Sequence, residues 1–339
     1  MNFQDVVKTA KSTIGPHCKV CPECNGIACK GVIPGPGGKG TGRGFIRNYS
    51  DLKLIALNMD TIYENFTPDC SAEIFGQKFS LPVFAGPIGA VQQHYSDKYD
   101  DLTYSRALIE GCKAANGIAF TGDGVVDAVY NGTIDAIGEN GGWGIPTIKP
   151  WSKDEVIKKI KMAEGVGAVA VAMDIDAAGL TLLGKLGKPV FPMSTEILRA
   201  IVDSTDLPFI LKGVMTANAA KKAVEAGVYA ILVSNHGGRV LDETPSTISV
   251  LEEIIEAVDG KAKILIDGGF RSGVDVFKAI AMGADGVIIA RPYATAIYGG
   301  DAEGVKLYTE KIKDELENAM LMTGCKTLAD ITRDKVRKL

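Results

Sequence analysis

The chain has 339 residues, of which 46% are hydrophobic and 23% charged, and its net charge is −4. This composition is typical of a soluble globular protein and excludes the strongly basic surface of a nucleic-acid-binding protein. No stretch approaches the roughly eighteen consecutive apolar residues of a membrane span, and the first residues lack the basic and apolar regions of a secretory signal. We therefore expect a cytoplasmic protein without a membrane partner.

The first 50 residues differ in composition from the rest of the chain. They contain a short helical pattern, four of the seven cysteines and the glycine-rich run from Gly35 to Gly44. Such a run predicts a flexible loop, and we expect residues 1–50 to form a segment that lies over the following domain. The run also fits the G-x-G-x-x-G string of dinucleotide-binding proteins, but it neither follows a strand nor opens a helix.

The four cysteines of this segment follow one another at intervals of three, three and five residues. This spacing is similar to that of iron–sulfur proteins, and thiolates so arranged also suit zinc. Metal binding and reduced cysteines in a loop are the two alternatives, because a disulfide framework is not expected in this chain. Cys18, Cys21, Cys24 and Cys29 are the candidate ligands of an iron–sulfur cluster or zinc, and both alternatives stay open at this point.

From about residue 80 one pattern repeats, in which a helix ends at a glycine and a short apolar run follows. Strands that are apolar on both faces are typical of a buried parallel sheet. Eight such strands predict a (β/α)8 TIM barrel over residues 51–339, and the alternative, an open doubly wound sheet, lacks its dinucleotide-binding turn. The predicted strands are Pro82–Ile88, Gly117–Thr121, Ile145–Lys149, Ala168–Asp174, Phe209–Lys212, Ala230–Ser234, Ile264–Asp267 and Gly286–Ala290.

Charged residues follow several of these strands at the point where ligands of TIM barrels bind. His236 and Arg239 share one turn, which places a base and a carboxylate-binding cation beside one substrate. Lys212 ends a buried strand, where an ammonium group needs an anion. Asp174 ends another strand and is expected to hold the other nitrogen of the imidazole. The alternatives are a structural histidine and a turn aspartate.

The last two strands end in turns suited to a phosphate. Asp267, Gly268 and Gly269 follow the seventh strand, and Ala290 and Arg291 follow the eighth. In barrels these two turns offer backbone N–H groups and a cation to phosphate oxygens. The alternative is that these are ordinary turn residues with a surface arginine.

Four motifs together resemble the FMN-dependent α-hydroxy-acid oxidase and dehydrogenase family, which includes glycolate oxidase and lactate oxidase. The resemblance runs from about residue 70 to Leu328. It implies an FMN-binding barrel that oxidises a small 2-hydroxy acid, lactate-like or glycolate-like, for an acceptor that the sequence does not identify. It also implies a homo-oligomer, as in tetrameric relatives. The motifs are Leu211–Met215, Ser234–Arg239, Asp267–Arg271 and Ala290–Pro292.

The resemblance implies a role for each matching residue. His236 is the base that takes the hydroxyl proton as hydride leaves to flavin N5, and Asp174 orients it. Arg239 binds the substrate carboxylate, and Lys212 stabilises negative charge at flavin N1. Arg271 lies near the FMN phosphate or the substrate. The further flavin contacts are Gly86, Pro87, Ile88, Gly89, Thr121 or Gly122, Thr147, Ser234, Asp267, Gly268, Gly269, Ala290 and Arg291.

The chain departs from the family pattern around the substrate. Lys149 stands where relatives have an active-site tyrosine, and Thr147 stands where they have a flavin-binding glutamine. The second carboxylate-binding arginine has no counterpart in residues 177–185, and the N-terminal tyrosine that touches substrate is not evident. Lys149, Lys185 or Lys188 is expected to supply the missing charge, although a lysine lacks the planar fork of arginine.

Two other functions fit parts of the sequence. Type 2 isopentenyl diphosphate isomerase is also an FMN barrel with related phosphate turns, but its substrate-binding motifs are not found here. A non-catalytic electron carrier would pass electrons between the cysteine segment and flavin. A cluster near the flavin in a catalytic protein would instead predict a dehydrogenase rather than an oxidase.

Overall fold

A computed structural model describes residues 2–339 and confirms the predicted barrel. Eight parallel strands pair in the order β4-β11-β10-β9-β8-β7-β6-β5. The ring is closed between β4 and β5 by a bridge between Ala85 and Ala119. In chain order the strands are β1 Ile55–Leu57, β2 Ala72–Ile74, β3 Gln77–Phe79, β4 Val83–Ala85, β5 Phe120–Thr121, β6 Ile145–Ile148, β7 Val171–Asp174, β8 Phe209–Val214, β9 Ala230–Val233, β10 Lys263–Asp267, β11 Gly286–Ile289 and β12 Val336–Lys338.

Helices surround the barrel, and most of them bury apolar residues against the strands or against neighbouring helices. Among residues 2–339, no helix is both long enough and apolar enough to cross a membrane. The helices are α1 Phe3–Thr13, α2 Arg43–Ser50, α3 Val91–His94, α4 Asp101–Ala114, α5 Asp127–Glu139, α6 Lys153–Gly165, α7 Thr181–Lys185, α8 Thr195–Val202, α9 Ala217–Glu225, α10 Thr247–Val258, α11 Gly273–Ala281 and α12 Arg291–Thr323.

The core has two layers, because every barrel strand is buried on both faces. Inside the ring, side chains such as Phe84, Phe120 and Leu232 are fully buried. The β2–β3 hairpin adds Phe75 and Phe79 to this inner cluster. The second layer lies between the strands and the helices. A separate antiparallel pair, β1 with β12, joins the two ends of the barrel domain.

The strands end close to the predicted positions, but β5 begins at Phe120 rather than Gly117 and β7 at Val171 rather than Ala168. Two other strands differ at their carboxyl ends. β4 contains only Val83–Ala85, because the following Gly86–Gly89 stretch leaves the sheet to line a cavity. β8 continues past Lys212 to Val214 through a register shift opposite β9. The polar residues of interest therefore lie at or just beyond the carboxyl ends of the strands, as the sequence predicts.

The N-terminal segment differs from its prediction in one respect. Residues 14–42, between α1 and α2, contain no helix or strand. The glycine run within it is nevertheless not a loose loop, because Gly35, Pro36, Gly37 and Gly38 are all buried. A Cβ atom at Gly37 would lie 1.9 Å from the Cys29 carbonyl oxygen, so the glycines permit close backbone packing rather than mobility.

Candidate active site

A cavity of about 520 Å³ opens at the carboxyl ends of the barrel strands. A cavity of this size suits a cofactor or a drug-sized ligand. Most of the residues that the sequence predicts for the site line it together. They are Pro87, Ile88, Gly89, Gly122, Thr147, Lys149, Asp174, Lys212, His236, Arg239, Asp267, Gly268, Gly269, Arg271, Ala290 and Arg291.

Three predicted flavin contacts, Gly86, Thr121 and Ser234, are not among the lining residues. Gly86 permits the carboxyl ends of β4 and β11 to pack closely, since a Cβ there would lie 2.9 Å from the Cβ of Ala290. The Ser234 hydroxyl donates to Asp267 Oδ2 at 2.8 Å and accepts from the His236 amide at 3.1 Å. Ser234 therefore supports two lining residues rather than facing the cavity itself.

His236 lies in the turn after β9 and is held in an uncommon backbone conformation. Its φ is +57°, and Gly237 and Gly238 also have positive φ. A Cβ at Gly237 would lie 2.5 Å from Nη1 of Arg291, so only glycine lets these two strand ends approach so closely. The turn presents the imidazole to the cavity, where its side chain is 18% exposed.

Asp176, rather than Asp174, is the carboxylate closest to the imidazole. Its Oδ1 lies 3.0 Å from His236 Nδ1, whereas Asp174 Oδ2 lies 3.9 Å from Nε2. A carboxylate only accepts, so this contact assigns the proton to Nδ1 and leaves the lone pair on Nε2. The sequence prediction for Asp174 is corrected here, because the short helical turn Ile175–Gly179 directs the second aspartate toward the ring.

Lys212 and Lys149 balance these carboxylates. Lys212 Nζ lies 3.5 Å from His236 Nδ1, and Lys149 Nζ lies 2.8 Å from Asp174 Oδ2. Burial opposes the charge of Lys212, but Asp176 and the other carboxylates outweigh it and raise the pKa of Lys212. Burial, followed by the charge of Lys212, lowers the pKa of His236 below its ordinary value. The imidazole is therefore neutral at neutral pH, as a base must be.

The turns after β10 and β11 form a backbone cradle. Gly268 and Gly269 have φ of +94° and +90°, and a Cβ at Gly269 would lie 1.9 Å from the Asn48 carbonyl oxygen. Among the described residues, Thr147 Oγ1 and Asp267 Oδ1 are buried without a hydrogen-bond partner although their residues line the cavity. Buried polar atoms are normally paired, so these atoms indicate a polar ligand. A flavin with its phosphate fits this donor and acceptor set.

Three arginines of the cavity hold the N-terminal segment over it. Arg239 Nη1 donates to the carbonyls of Gly35 and Gly37 at 2.6 and 2.9 Å. Arg291 Nε donates to the Pro36 carbonyl at 2.7 Å, and Arg271 donates twice to the Cys24 carbonyl. Burial lowers the pKa of Arg239 to about 10, which shows how much solvation this cation has lost. Such a cation is a strong binding group for an anionic ligand.

Several residues of the site are absent from the sequence prediction, and the first of them, Asp176, contacts the His236 ring without lining the cavity. Asp176 stands only two residues after Asp174, and the sequence alone does not indicate which of the two aspartates contacts His236. Pro36 belongs to the glycine run that the sequence indicates as a loose loop. The segment after β7, which includes α7, forms an apolar wall of the cavity through Leu180, Leu183 and Leu186. Leucines do not indicate a ligand site in a sequence, so this wall could not be predicted.

A family model described as FMN-dependent dehydrogenase matches residues 36–185 and 191–338. Glycolate oxidase 3 of Arabidopsis thaliana is 30% identical over 309 residues, which cover 79% of this chain and 81% of the relative. A peroxisomal (S)-2-hydroxyacid oxidase of the same plant is 50% identical over 142 residues. That match covers 42% of this chain and only 38% of the relative's length.

A solved structure extends the similarity to the whole fold. The crystal structure of a mandelate oxidase variant with 2-hydroxy-phenylacetamide matches with a TM-score of 0.80 and 25% identity. The match covers 99% of this chain and 97% of that one. The family model begins at residue 36, so the cysteines at positions 18–29 lie before the residues that it matches.

Proposed function

We propose that this chain, which belongs to the family of FMN-dependent dehydrogenases, oxidises a small 2-hydroxy acid to the 2-oxo acid. The observation that carries the proposal is that His236 and Arg239 line one cavity together with Gly268 and Gly269 after β10 and Arg291 after β11. A base, a carboxylate-binding cation and a phosphate cradle in one cavity suit this chemistry.

The residues that would hold FMN follow from the unpaired and charged groups. Gly268, Gly269 and Arg291 would hold the phosphate, while Thr147 and Lys212 would contact the ring. When bound, FMN supplies the acceptor for two electrons, taking the α-hydrogen as hydride at N5. Lys212 is buried beside three carboxylates, and its positive charge would favour the added negative charge of the reduced ring.

His236 would act as the base through Nε2. Asp176 holds Nδ1–H, so the lone pair of Nε2 is available for the hydroxyl proton of the substrate. Once the ring is protonated, Asp174 Oδ2, 3.9 Å from Nε2, faces the new charge. The aspartates therefore divide two tasks, because Asp176 positions the neutral ring and Asp174 stabilises the charged one.

Arg239 would bind the carboxylate of the substrate. Its Nη1 group is engaged by Gly35 and Gly37, and among residues 2–339 its Nε and Nη2 groups have no hydrogen-bond partner. Lys149, another cation of this cavity, is held by Asp174 and would supply the charge of the arginine that the family has and this chain lacks. The leucine wall favours an acid with an apolar side chain, such as lactate, over glycolate.

Product analysis tests the proposal. The FMN-loaded protein is incubated with glycolate, lactate and longer 2-hydroxy acids, in air and with an artificial electron-accepting dye. We expect a 2-oxo acid in amounts equal to the acceptor reduced. An isomerised product without net oxidation would favour the isomerase alternative, and no turnover of any acid would favour the electron carrier. The scheme requires nothing from the four cysteines, so it does not depend on a metal there.

A further inference from the structure

The segment of residues 14–42 is long and irregular yet well packed. A structureless stretch of this length is uncommon inside a compact domain unless it is functional or fixed by a cross-link or metal. The segment buries few apolar side chains, chiefly Ile14 and Val20. Barrel arginines donate to its carbonyls, and Lys39 and Thr41 bond to the turn that follows His236, so its fold depends on something other than a hydrophobic core.

The segment contains Cys18, Cys21, Cys24 and Cys29, and all four are free thiols with partly buried side chains. All four stand within residues 18–29, in a stretch that contains no helix or strand. Four partly buried thiols are therefore concentrated on one short segment.

The positive charge of the arginines around the segment would be stabilised by an anion. In the described part of the chain, no carboxylate lies within 4.0 Å of Arg239, Arg271 or Arg291. The Arg291 guanidinium also stacks on the Phe45 ring at 3.7 Å, which keeps it beside the segment. The phosphate of FMN would balance part of this charge. An iron–sulfur cluster with four thiolate ligands is itself an anion and would balance more of it.

The spacing of the sulfur atoms distinguishes a cluster from a single zinc ion. Four sulfurs at about 2.3 Å from zinc lie about 3.8 Å from one another in a tetrahedron. Within residues 2–339, the group of three or more potential ligand atoms within 4.8 Å of one another is that of Asp174, Asp176 and His236, and no three cysteine sulfurs meet this limit. A multi-iron cluster places its ligand sulfurs farther apart, so this result counts against a preformed zinc site and not against a cluster.

We propose that Cys18, Cys21, Cys24 and Cys29 bind a four-iron iron–sulfur cluster that takes electrons from FMN one at a time. Arg271 lines the FMN cavity and donates to the Cys24 carbonyl at 3.0 and 2.8 Å, so a single side chain connects the two sites. The electron route rests on the proposed oxidation of a 2-hydroxy acid, whereas the cluster itself does not.

A one-electron acceptor, reduced twice per substrate molecule, accounts for both electrons of the oxidation. Each 2-hydroxy acid delivers two electrons to FMN, and the cluster is reduced and reoxidised twice while passing them to a small redox protein. The proton from the hydroxyl and the proton released from reduced FMN leave to solvent. The protein is then a dehydrogenase, and oxygen is not its main acceptor.

Iron and acid-labile sulfide analysis of the anaerobically purified holoprotein tests the site. We expect about four of each per chain and, after reduction with dithionite, a low-temperature electron paramagnetic resonance signal of a reduced cluster. Protein that contains neither element even after reconstitution with ferrous iron and sulfide would overturn the proposal. One zinc per chain, bound in their place, would also overturn it.

Matched variants locate the ligands. Cys21→Ser and Cys24→Ser should lose most of the iron and sulfide while retaining FMN. The control, Cys325→Ser, should keep both elements, because that thiol is buried near the C-terminus among Thr323 and Asp330. Full iron content in both segment variants would contradict the assignment. If they do not fold, the resonance signal of the wild type decides the question.

Flavin absorbance distinguishes a failure of the proposed oxidation from a failure of the proposed cluster. Bleaching of FMN by a 2-hydroxy acid tests the oxidation alone and needs no cluster. With bleaching present, loss of the cluster in Cys21→Ser should slow electron transfer to a one-electron acceptor by at least about tenfold while bleaching proceeds at its wild-type rate. Equal transfer rates would remove the cluster from the electron route.

Discussion

The two regions that form the cavity are built in different ways. The strand ends of the barrel place Asp174 and Lys212 by backbone pairing, since the two stand opposite each other in the β7–β8 register, and His236 follows β9 in a short turn. Residues 14–42 have no such register, and arginines from the barrel fix their carbonyls instead. The same side chains that face the cavity therefore also fold the segment that covers it.

This difference predicts which substitutions change the reaction and which change the order of the covering segment, residues 14–42. Groups set by strand register keep their geometry when one of them is changed, so substitutions there report on chemistry. The covering segment has few backbone partners, so substitutions there should first change its order and only then the reaction. Substitutions at the strand ends should therefore slow the reaction more than substitutions in residues 14–42.

Replacing the proposed base should have the largest effect. His236→Ala removes the side chain whose Nε2 is placed to take the hydroxyl proton, and we expect flavin reduction to slow by about 10²–10⁴-fold. Stopped-flow bleaching under anaerobic conditions measures it. His17→Ala, a histidine of the covering segment, is the matched control and should react at nearly the wild-type rate. Equal rates for His236→Ala and wild type would refute the role of the base.

Removing the buried ammonium should have the next largest effect. Lys212→Met is expected to cost roughly 3 kcal/mol of transition-state stabilisation, or about a hundredfold in rate. The charge of Lys212 lowers the pKa of His236, so its loss should move the acid limb of the pH profile to higher pH. Lys278→Met, a buried lysine on α11 that donates to the Leu52 carbonyl, controls for loss of a buried amine.

Asp176→Asn should shift the same profile in the opposite direction. The rate requires neutral His236 and therefore falls as pH decreases through its pKa, which already lies below the ordinary value. Asp176 raises that pKa, so its neutralisation should move the acid limb to lower pH and slow the reaction by about tenfold, because the ring loses its fixed tautomer. A shift to higher pH, or none, would show that Asp176 does not hold the imidazole.

Gly37→Ala should affect the covering segment alone. The added Cβ would lie 1.9 Å from the Cys29 carbonyl oxygen, so the segment must rearrange. We expect proteolysis within residues 14–42 to become about tenfold faster while the melting temperature of the barrel changes little. Gly165→Ala is the control, because that glycine has nothing within 4 Å of an added Cβ. Protection equal to the wild type would mean that close packing does not order the segment.

The barrel and most of the cavity could be predicted because they follow from local patterns. Apolar runs ending in His236, Lys212 or Asp267 identify strand ends, and parallel strands bring those ends together. The role of Asp176 could not be predicted, since it depends on the turn that follows β7. The order of residues 14–42 was also unpredictable, because it comes from arginines such as Arg239 that are distant in sequence. The cytoplasmic location and the oligomeric state stay predictions.

The most direct test of the account compares a 2-hydroxy acid with its amide in anaerobic flavin reduction. The two compounds share the reacting carbon and hydroxyl, but only the acid offers Arg239 a carboxylate. We expect the acid to bleach the bound FMN and the amide to do so at least about a hundredfold more slowly, because the buried cation is left unpaired. Equal rates for the two, or a yellow protein that no 2-hydroxy acid bleaches, would contradict the account.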